Sequence, residues 1–525
     1  MASKQSSLRS ILADDLRQGI FRPLLLLLQY VMLASGLLLY FRGYSVENYN
    51  TALSGIMGLL VSNVIYGCLR PRHRVIFLTF HVPLFTFLLS RPFISYLRCE
   101  MWWYASARCE LYALKALMLT LVFLRVGAVL GEWILEWRLA APVRPHIRQT
   151  EERGEVFRNA LQRTSLLLFA VALGVNILLS RELLLFMRGR EYTEYYTSFK
   201  SQYPFYIQTL GSMLKYALCI FLATLPRKRM AFVPLALYLL STIPLLLVGP
   251  RNPFVLAALF ILLYYLLRDI LGGKDRWMGR LEWTAVIIAL PFALAFLSAY
   301  VFAHSEQPSL SNIGPSIVNF FYKQGVSYEV LTRGYAAIPD LPAVIPKNYT
   351  FGPFTDYFLH GTIAQKLFHA VDLGNQNSEL LAVYGHSFAH SMSYVAHPDY
   401  LAGRGWGSSY LLELFVDWGY WGIAIGSLLL GMVLVLMLLT VRRGILLRTI
   451  TLVSLTTVFF LPRDSAMGWL LFTVTIQFWA AVIACYGSAA VLSKLYFAGK
   501  THPKNHLAFL AHPLWDKSDP PASHV

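Results

Sequence analysis

The sequence predicts an all-α polytopic membrane protein with about twelve transmembrane helices and one large extracytoplasmic loop. Of its 525 residues, 56% are hydrophobic and only 14% are charged, whereas a soluble domain carries about a quarter charged residues. Apolar runs of about 20 residues, the length needed to cross a bilayer, recur along the whole chain. These runs are continuous rather than alternating, which excludes a transmembrane β-barrel.

The apolar runs define the predicted spans. The first run, from Phe21 to Tyr40, is long and Leu-rich and lacks a small-residue cleavage site, so it is interpreted as a span and not as a cleaved signal peptide. The even number of spans puts both termini on the same side of the membrane. The predicted spans are 21–41, 52–69, 74–90, 111–134, 164–186, 206–224, 230–248, 253–268, 281–302, 412–440, 446–461 and 467–491.

Basic residues orient these spans. The clusters "RPRHR" (70–74), "PRKR" (226–229) and "VRRGILLR" (441–448) all fall in alternate loops, together with the termini. Because Lys and Arg concentrate in cytoplasmic loops, both termini are expected in the cytoplasm. The same rule accounts for the formal net charge of +17, so the lipid bilayer is an expected partner and nucleic acid is not.

The chain is expected to divide into four parts. These are an N-terminal membrane bundle of about nine spans (1–302), a large extracytoplasmic loop (303–411), the C-terminal spans (412–491) and a cytoplasmic tail (492–525). The loop is rich in Tyr, Phe, Gly, His and Pro and is too long for a simple connection, so it is expected to be functional or an inserted small domain. Within it, residues 317–335 have helical apolar spacing and are expected to lie on the membrane surface.

Two arginines are predicted at outward turns. Arg251 lies between Pro250 and Pro253 in "GPRNP", and Arg463 lies in "LPRDS". One interpretation is an interfacial arginine that extends to lipid headgroups. The other is a phosphate or pyrophosphate site, because prolines restrict the turn and guanidinium binds phosphate through two parallel hydrogen bonds.

A glycine-rich turn opens the tenth predicted span in "AGRGWGSSYLLELFVDWG" (402–419). Either Ser408 or Ser409 is expected to cap the helix. Glu413 and Asp417 are four residues apart and share one helix face. A partly buried carboxylate there is either a general base, a partner of an arginine, or a member of an interfacial salt bridge.

Histidines and cysteines give weak metal signals. His386 and His390 have a spacing that chelates zinc if they lie on a helix, but Pro398 and neighbouring glycines favour a loop, so no metal is expected. Hydrogen bonds from these histidines to sugar or phosphate are favoured instead. The five cysteines lack metal-ligand spacing; Cys99 and Cys109 are either paired or free thiols.

Two cationic residues fall well inside predicted helices, namely Arg125 and Lys215. Such residues usually face the bundle interior and are functional candidates. The alternative is purely structural pairing with a carboxylate such as Glu132 or Glu182.

Several short motifs resemble those of bacterial O-antigen polysaccharide polymerases of the Wzy family. "GPRNPF" resembles their G-x-R turn, and "FFYKQGVSYEVL" (320–331) resembles the aromatic-x-Q-G-V-S segment of their large outer loop. The stretch 385–422 resembles their H-S-x-S-Y, G-x-G-x-S-S-x-x-x-E and G-x-x-G pattern, and "RDS" fits a second family arginine. The matched motifs follow the family order along the chain.

The resemblance implies a GT-C-like fold and a location in the bacterial inner membrane. It also implies a metal-independent glycosyltransferase without a cofactor, which polymerises oligosaccharide repeat units linked to undecaprenyl pyrophosphate. The growing glycan would be transferred to a new lipid-linked repeat unit on the outer face. A chain-length regulator and a flippase are the further partners expected.

The resemblance also suggests roles for individual residues. Arg251 would hold the pyrophosphate, with Arg463 as a second clamp, because fixed cations stabilise a departing anion. Glu413 is the first choice for activating the acceptor hydroxyl and His386 is the second. The other residues expected to bind pyrophosphate or glycan are Arg404, Gln324, Ser408, Tyr410, Asp417, Asp464 and His390.

Three alternative functions remain open from the sequence. An O-antigen ligase shares the donor chemistry but uses lipid A core as acceptor; the QGVS and GHS segments favour the polymerase. A lipid-linked oligosaccharide flippase or other transporter fits the span count, but the chain shows no internal repeat. A passive export scaffold would leave the outward charges at rigid turns unexplained.

Overall fold

The computed structural model describes residues 21–140, 148–272, 276–289, 293, 313–374 and 376–499. All regular secondary structure in these ranges is helical. Among them, 11 helical segments are long and apolar enough to cross a membrane. The predicted all-α polytopic fold class is therefore confirmed.

The helices follow the predicted apolar runs closely. The α-helices are Phe21–Ser45, Tyr49–Leu69, Pro71–Leu84, Ser90–Leu97, Ala107–Ala140, Arg148–Phe186, Glu194–Thr197, Phe205–Ser212, Leu214–Ala223, Lys228–Leu240, Ile243–Val248, Asn252–Leu271, Ile313–Gln324, Ser327–Ala337, Gly352–His360, Thr362–Phe368, Glu379–Tyr384, Phe388–Ala396, Tyr410–Arg442, Ile445–Leu455 and Ile476–Gly499, and residues 280–289 are also helical. A π-helical turn lies at Phe85–Leu89. Three 3-10 turns lie at Ile338–Asp340, Val458–Arg463 and Gly468–Val474.

Two predicted spans differ from the helices that the structure describes. The span 281–302 lies mostly on residues outside those described, and its helix can be followed only over 280–289. The last span was predicted to begin at 467, but its α-helix begins at Ile476, after the 3-10 turn at Gly468–Val474. Hydropathy does not locate this boundary because the apolar run continues through both segments.

The chain forms two compact units. The first comprises Met1–Leu139, Arg280–Leu439 and Phe459–Gly468, and the second comprises Ala140–Gly279, Thr440–Val458 and Trp469–Val525. The first unit therefore contains the early spans, the long Tyr410–Arg442 helix and the large loop. Most of the predicted site residues belong to it.

Glycines set the close packing of the first unit. A Cβ added at Gly127 would lie 1.9 Å from the carbonyl oxygen of Leu428, and one at Gly431 would lie 2.1 Å from that of Leu124. Small residues of this kind let transmembrane helices approach backbone to backbone. The Ala107–Ala140 helix consequently packs directly against the Tyr410–Arg442 helix.

The Tyr410–Arg442 helix is not continuous, in contrast to the predicted span 412–440. Trp418 and Gly419 leave the helical conformation, and Gly419 has a φ of 62°, which glycine adopts without steric cost. A Cβ at Gly422 would lie 2.2 Å from the carbonyl oxygen of Leu414. Residues 410–417 therefore form a short helical segment that packs against the start of the following span.

The segment 317–335 is not one continuous helix, and only its second half is largely buried; its position at the membrane surface stays a prediction. It divides into two helices at Gly325, where an added Cβ would lie 2.4 Å from the backbone nitrogen of Arg91. The second helix buries Tyr328, Val330 and Leu331 among other residues. Its apolar spacing reflects packing inside the first unit.

Candidate functional site

Glu413 is a buried carboxylate, 1% exposed, near the start of the Tyr410–Arg442 helix. Its Oε1 accepts a hydrogen bond from the Ser408 hydroxyl at 2.7 Å, and its Oε2 accepts one from the backbone N–H of Ala466 at 2.7 Å. Glu413 thus joins the glycine-rich turn before the helix to the turn that carries Arg463. Both oxygens of this carboxylate have protein donors.

The serine cap takes a different form from the prediction. The hydroxyl of Ser408 donates to the Glu413 side chain, and the hydroxyl of Ser409 is buried without a hydrogen-bond partner among the described residues. The backbone carbonyl of Ser409 accepts from Leu412 N at 2.9 Å and Glu413 N at 3.2 Å. Ser408 therefore orients the Glu413 carboxylate, and neither serine hydroxyl caps a backbone N–H group of the helix.

Arg463 and Asp464 occupy the turn held by Glu413. The guanidinium carbon of Arg463 lies 6.0 Å from the ring centroid of Phe87. Burial raises the pKa of Asp464 to about 6, and the hydrogen bond donated by the backbone N–H of Ser465 opposes this only in part. The structure places Arg463, Asp464 and Glu413 close together at this turn.

Asp417 links the short helical segment to the large loop. Its Oδ1 accepts from the backbone N–H of Tyr349 at 3.2 Å and its Oδ2 from that of Thr350 at 2.7 Å. These two hydrogen bonds fix the loop stretch that comes immediately before the Gly352–His360 helix. Asp417 therefore has a positioning contact within the protein.

His386 forms a pair with Asp356, a residue that sequence reasoning missed. The imidazole Nδ1 lies 2.9 Å from Asp356 Oδ1, and the backbone N–H of His386 also donates to the same carboxylate. A Cβ at Gly352 would lie 2.1 Å from the carbonyl oxygen of His386, so the helix carrying Asp356 begins directly against the histidine. A carboxylate on Nδ1 orients an imidazole and leaves Nε2 as the acceptor.

Lys347 and His390 extend this polar cluster. Lys347 Nζ donates to the Ala382 carbonyl at 2.8 Å and to the Ser391 hydroxyl at 3.0 Å. Burial lowers the pKa of Lys347 to about 8, with Asp356 opposing the change. Burial also lowers the pKa of His390, whose Nδ1 lies 2.9 Å from the Tyr400 hydroxyl. Nothing in the spacing of Lys347 or Asp356 marked them, because these partners are 30 or more residues distant in the chain.

The remaining loop residues fall in different environments. Tyr410 is buried. Gln324 ends the Ile313–Gln324 helix immediately before the Gly325 contact. Arg404 is exposed and lies 3.4 Å from Asp399, so it is accessible to a glycan or phosphate from the loop surface.

Arg251 belongs to the second unit. It directly precedes the Asn252–Leu271 helix, in which Pro253 occupies the first turn. Gly249 has a φ of 141°, and an added Cβ would lie 2.4 Å from the Tyr192 ring. Tyr192 and Pro253 therefore restrict this turn. Arg251 stands at a helix N-terminus, whose dipole favours anions.

The described residues show no ion pair of Arg125 or Lys215 with Glu132 or Glu182, the structural alternative to a functional role. Glu132 is bound by Arg70 and Arg74, while the Arg125 guanidinium lies 3.2 Å from the Tyr66 ring centroid. Glu182 accepts from the Ser201 hydroxyl and the Gln202 N–H, each at 2.6 Å, and so is not the partner of Lys215. Cys99 and Cys109 are free thiols.

One group of possible metal ligands occurs in the described residues. His73, Glu132 and Glu136 place ligand atoms within 4.8 Å of one another. Arg70 and Arg74 already ion-pair with these carboxylates, so the positive charge that a metal would supply is present. His386 and His390 are not members of this group.

Comparison with protein families matches residues 26–495 to the family described as O-antigen polysaccharide polymerase Wzy. The match covers nearly the whole chain, including the spans that show no motif by inspection. No curated protein and no solved structure matches.

Proposed function

Because the chain belongs to the O-antigen polysaccharide polymerase Wzy family, and is thus a membrane polymerase of O-antigen repeat units, we propose that its donor is a glycan on undecaprenyl pyrophosphate. We place the reaction on the outer face of the bacterial inner membrane, with both termini in the cytoplasm. The family match over nearly the whole chain is the observation that carries this proposal. It favours polymerisation over transfer to lipid A core and over lipid transport.

In this scheme Arg251 binds the pyrophosphate of the donor. Its position before a helix N-terminus in a turn held by Pro253 supports this role, because a fixed cation and a helix dipole both favour a dianionic group. Arg463 is the second phosphate contact. A guanidinium group supplies positive charge to a leaving pyrophosphate without a metal ion.

His386 is the proposed general base. The acceptor hydroxyl oxygen attacks the anomeric carbon of the donor sugar while its proton passes to His386 Nε2. The bond from that carbon to the pyrophosphate oxygen breaks, and undecaprenyl pyrophosphate leaves. Asp356 supports this role because its contact with Nδ1 fixes the tautomer and stabilises the protonated imidazole.

Glu413 acts as a positioning residue in this proposal, not as the base. Its two oxygens are already occupied by donors from Ser408 and Ala466, and it holds the turn that presents Arg463 and Asp464. Arg404, Gln324, Ser408, Tyr410, Asp417 and His390 are proposed to shape or contact the glycan. A chain-length regulator and a flippase remain predicted partners.

Reconstitution tests the function. Purified protein in lipid nanodiscs receives a synthetic undecaprenyl-pyrophosphate repeat unit alone, and products are resolved on a gel. We expect a ladder of lipid-linked polymers. No ladder, but transfer after addition of lipid A core, would identify a ligase; movement of the substrate across liposomes without either reaction would identify a transporter.

Matched variants test the residue roles in the same assay. Arg251→Ala is expected to reduce the rate about 100-fold, whereas Arg188→Ala, at an exposed position, is expected to leave it unchanged.

His386→Ala is expected to reduce the rate on the order of 100-fold or more, and His369→Asn, also at an exposed position, serves as its control. Full activity of His386→Ala would remove the histidine from the chemistry.

A further inference from the structure

Two short helices of the large loop expose apolar side chains. The helices Gly352–His360 and Thr362–Phe368 follow each other directly, with Gly361 between them, and residues 352–368 are called the hairpin below. Its exposed side chains are Phe358 at 60%, Leu359 at 53%, Ile363 at 48%, Leu367 at 69% and Phe368 at 78%. Contiguous apolar exposure of this kind marks a surface that meets another apolar phase.

The hairpin is internally fixed, so these side chains are displayed on a built surface. Gln365 Nε2 donates to the His360 carbonyl at 2.6 Å and lies 3.2 Å from Asp372 Oδ1. His360 Nδ1 lies 3.0 Å from the Val371 carbonyl. These polar contacts close the hairpin without using its apolar face.

The exposed apolar side chains of the hairpin adjoin an exposed apolar stripe on a candidate membrane span. Trp421, Ile425 and Leu429 are 76%, 56% and 48% exposed on the Tyr410–Arg442 helix, which is a candidate membrane span. At the upper end of this stripe Trp418 contacts Phe351, with ring centroids 6.1 Å apart, and Phe351 immediately precedes the hairpin. Aromatic residues at such a junction are typical of the membrane–water interface.

We propose that the 352–368 hairpin is seated in the lipid headgroup region of the membrane, with Phe358, Leu359, Leu367 and Phe368 among the acyl chains. Continuity with the exposed stripe of the span favours lipid over a protein partner. Lys366 is exposed on the same hairpin and suits lipid phosphate. Amphipathic helices of this type lie in the interface plane with one face buried in lipid.

The seated hairpin has a consequence for the site, which rests on the proposed function. The helix that presents Phe358 and Leu359 to lipid also carries Asp356, which holds His386 at 2.9 Å. Anchoring this helix fixes the height of the histidine relative to the membrane surface. That surface is where the pyrophosphate of a lipid-linked sugar must lie.

Spin-label accessibility in lipid nanodiscs tests the proposal independently of activity. Labels are attached to Leu359→Cys and Leu367→Cys in a background in which the exposed Cys68 and Cys99 are serine. The control label is at Asp399→Cys, an exposed loop position outside the hairpin. We expect oxygen, which partitions into lipid, to relax the hairpin labels more strongly than a water-soluble nickel chelate, with the reverse order at 399.

Two results would overturn the lipid seat. Nickel accessibility at 359 and 367 equal to that at 399 would place the hairpin in water. Protection from both reagents would mean that protein, either a second copy or another partner, covers it. The positioning of His386 by the hairpin is tested by activity: Leu359→Asp is expected to lower the polymerisation rate about tenfold (about 1.4 kcal/mol in the barrier). If the labels are exposed to lipid but the rate of Leu359→Asp is unchanged, the hairpin lies in lipid and does not position His386.

Discussion

Glu413 and Asp464 are carboxylates of one site with different surroundings. Glu413 has a protein donor on each oxygen, whereas Asp464 receives one hydrogen bond, from the adjacent Ser465 N–H at 2.8 Å. A carboxylate with donors on both oxygens is suited to hold structure. One that is buried with few donors retains its proton to higher pH.

The pKa of Asp464 predicts how stability depends on pH. Burial raises this pKa from 3.8 to about 6, so folding takes up a proton between about pH 4 and 6. The stability that this group contributes is present at low pH and is lost as the pH rises through that window. Asp464→Asn is therefore expected to be more stable than the wild type at pH 7, by about 2 kcal/mol or less, and equal to it below about pH 4.

Thermal unfolding followed by tryptophan fluorescence across this pH range measures the effect. Asp399→Asn, at an exposed position, is the control and should show no such pH-dependent difference. A stability difference for Asp464→Asn that does not change with pH would contradict the raised pKa.

At the scale of elements, a buried ion-pair network joins neighbouring spans. Arg74 of the Pro71–Leu84 helix contacts Glu132 of the Ala107–Ala140 helix, and Arg70 reaches both Glu132 and Glu136. The Tyr66 hydroxyl donates to Glu132 at 3.0 Å. The side chains of Arg74 and Glu132 are only 7% and 9% exposed. If one partner were removed, water could therefore do little to solvate the charge of the other.

Removing the buried carboxylate is expected to destabilise the fold strongly. Glu132→Gln leaves the Arg74 guanidinium buried without its counter-charge, and such a change costs about 3–5 kcal/mol. Glu136→Gln is the matched control, because the Glu136 side chain is 48% exposed and an exposed pair contributes about 1 kcal/mol or less. Denaturation in detergent, monitored by fluorescence, compares the two; equal losses would contradict the burial argument.

At the scale of the whole molecule, the count of spans decides the orientation of the large loop. The structure describes 11 candidate spans, and the further span predicted at 281–302 lies mostly outside the described residues. If 281–302 crosses the membrane, the loop is outward and both termini are cytoplasmic, in agreement with the positive-inside pattern.

Reporter fusions test this orientation. Alkaline phosphatase, which is active only outside the cytoplasm, is expected to be active when fused after Val344 and inactive after Arg276. A fusion after Arg188, in an earlier loop predicted to face outward, should also be active and serves as the reference. Inactivity at both Val344 and Arg276 would mean that 281–302 does not cross, and would place the loop in the cytoplasm.

Composition and hydropathy were enough to predict the fold class and most span positions, and short motifs singled out the candidate site residues. Hydropathy and basic-residue bias act locally, so they can be read from composition along the chain. Glu413 and Ser408 lie close to the turn of Arg463 and Asp464 in the structure, while the roles assigned to these residues stay predictions.

Contacts between segments far apart in the chain could be found only in the folded protein. Examples are the pairing of His386 with Asp356, the hydrogen bonds of Lys347 and the ion pairs of Glu132. In each case the partners are far apart in the sequence and follow no regular spacing. The break at Gly419 and the covered helix Ser327–Ala337 likewise follow from packing. An apolar pattern shows that a face will be buried, but whether lipid or protein buries it is set by which helices become neighbours.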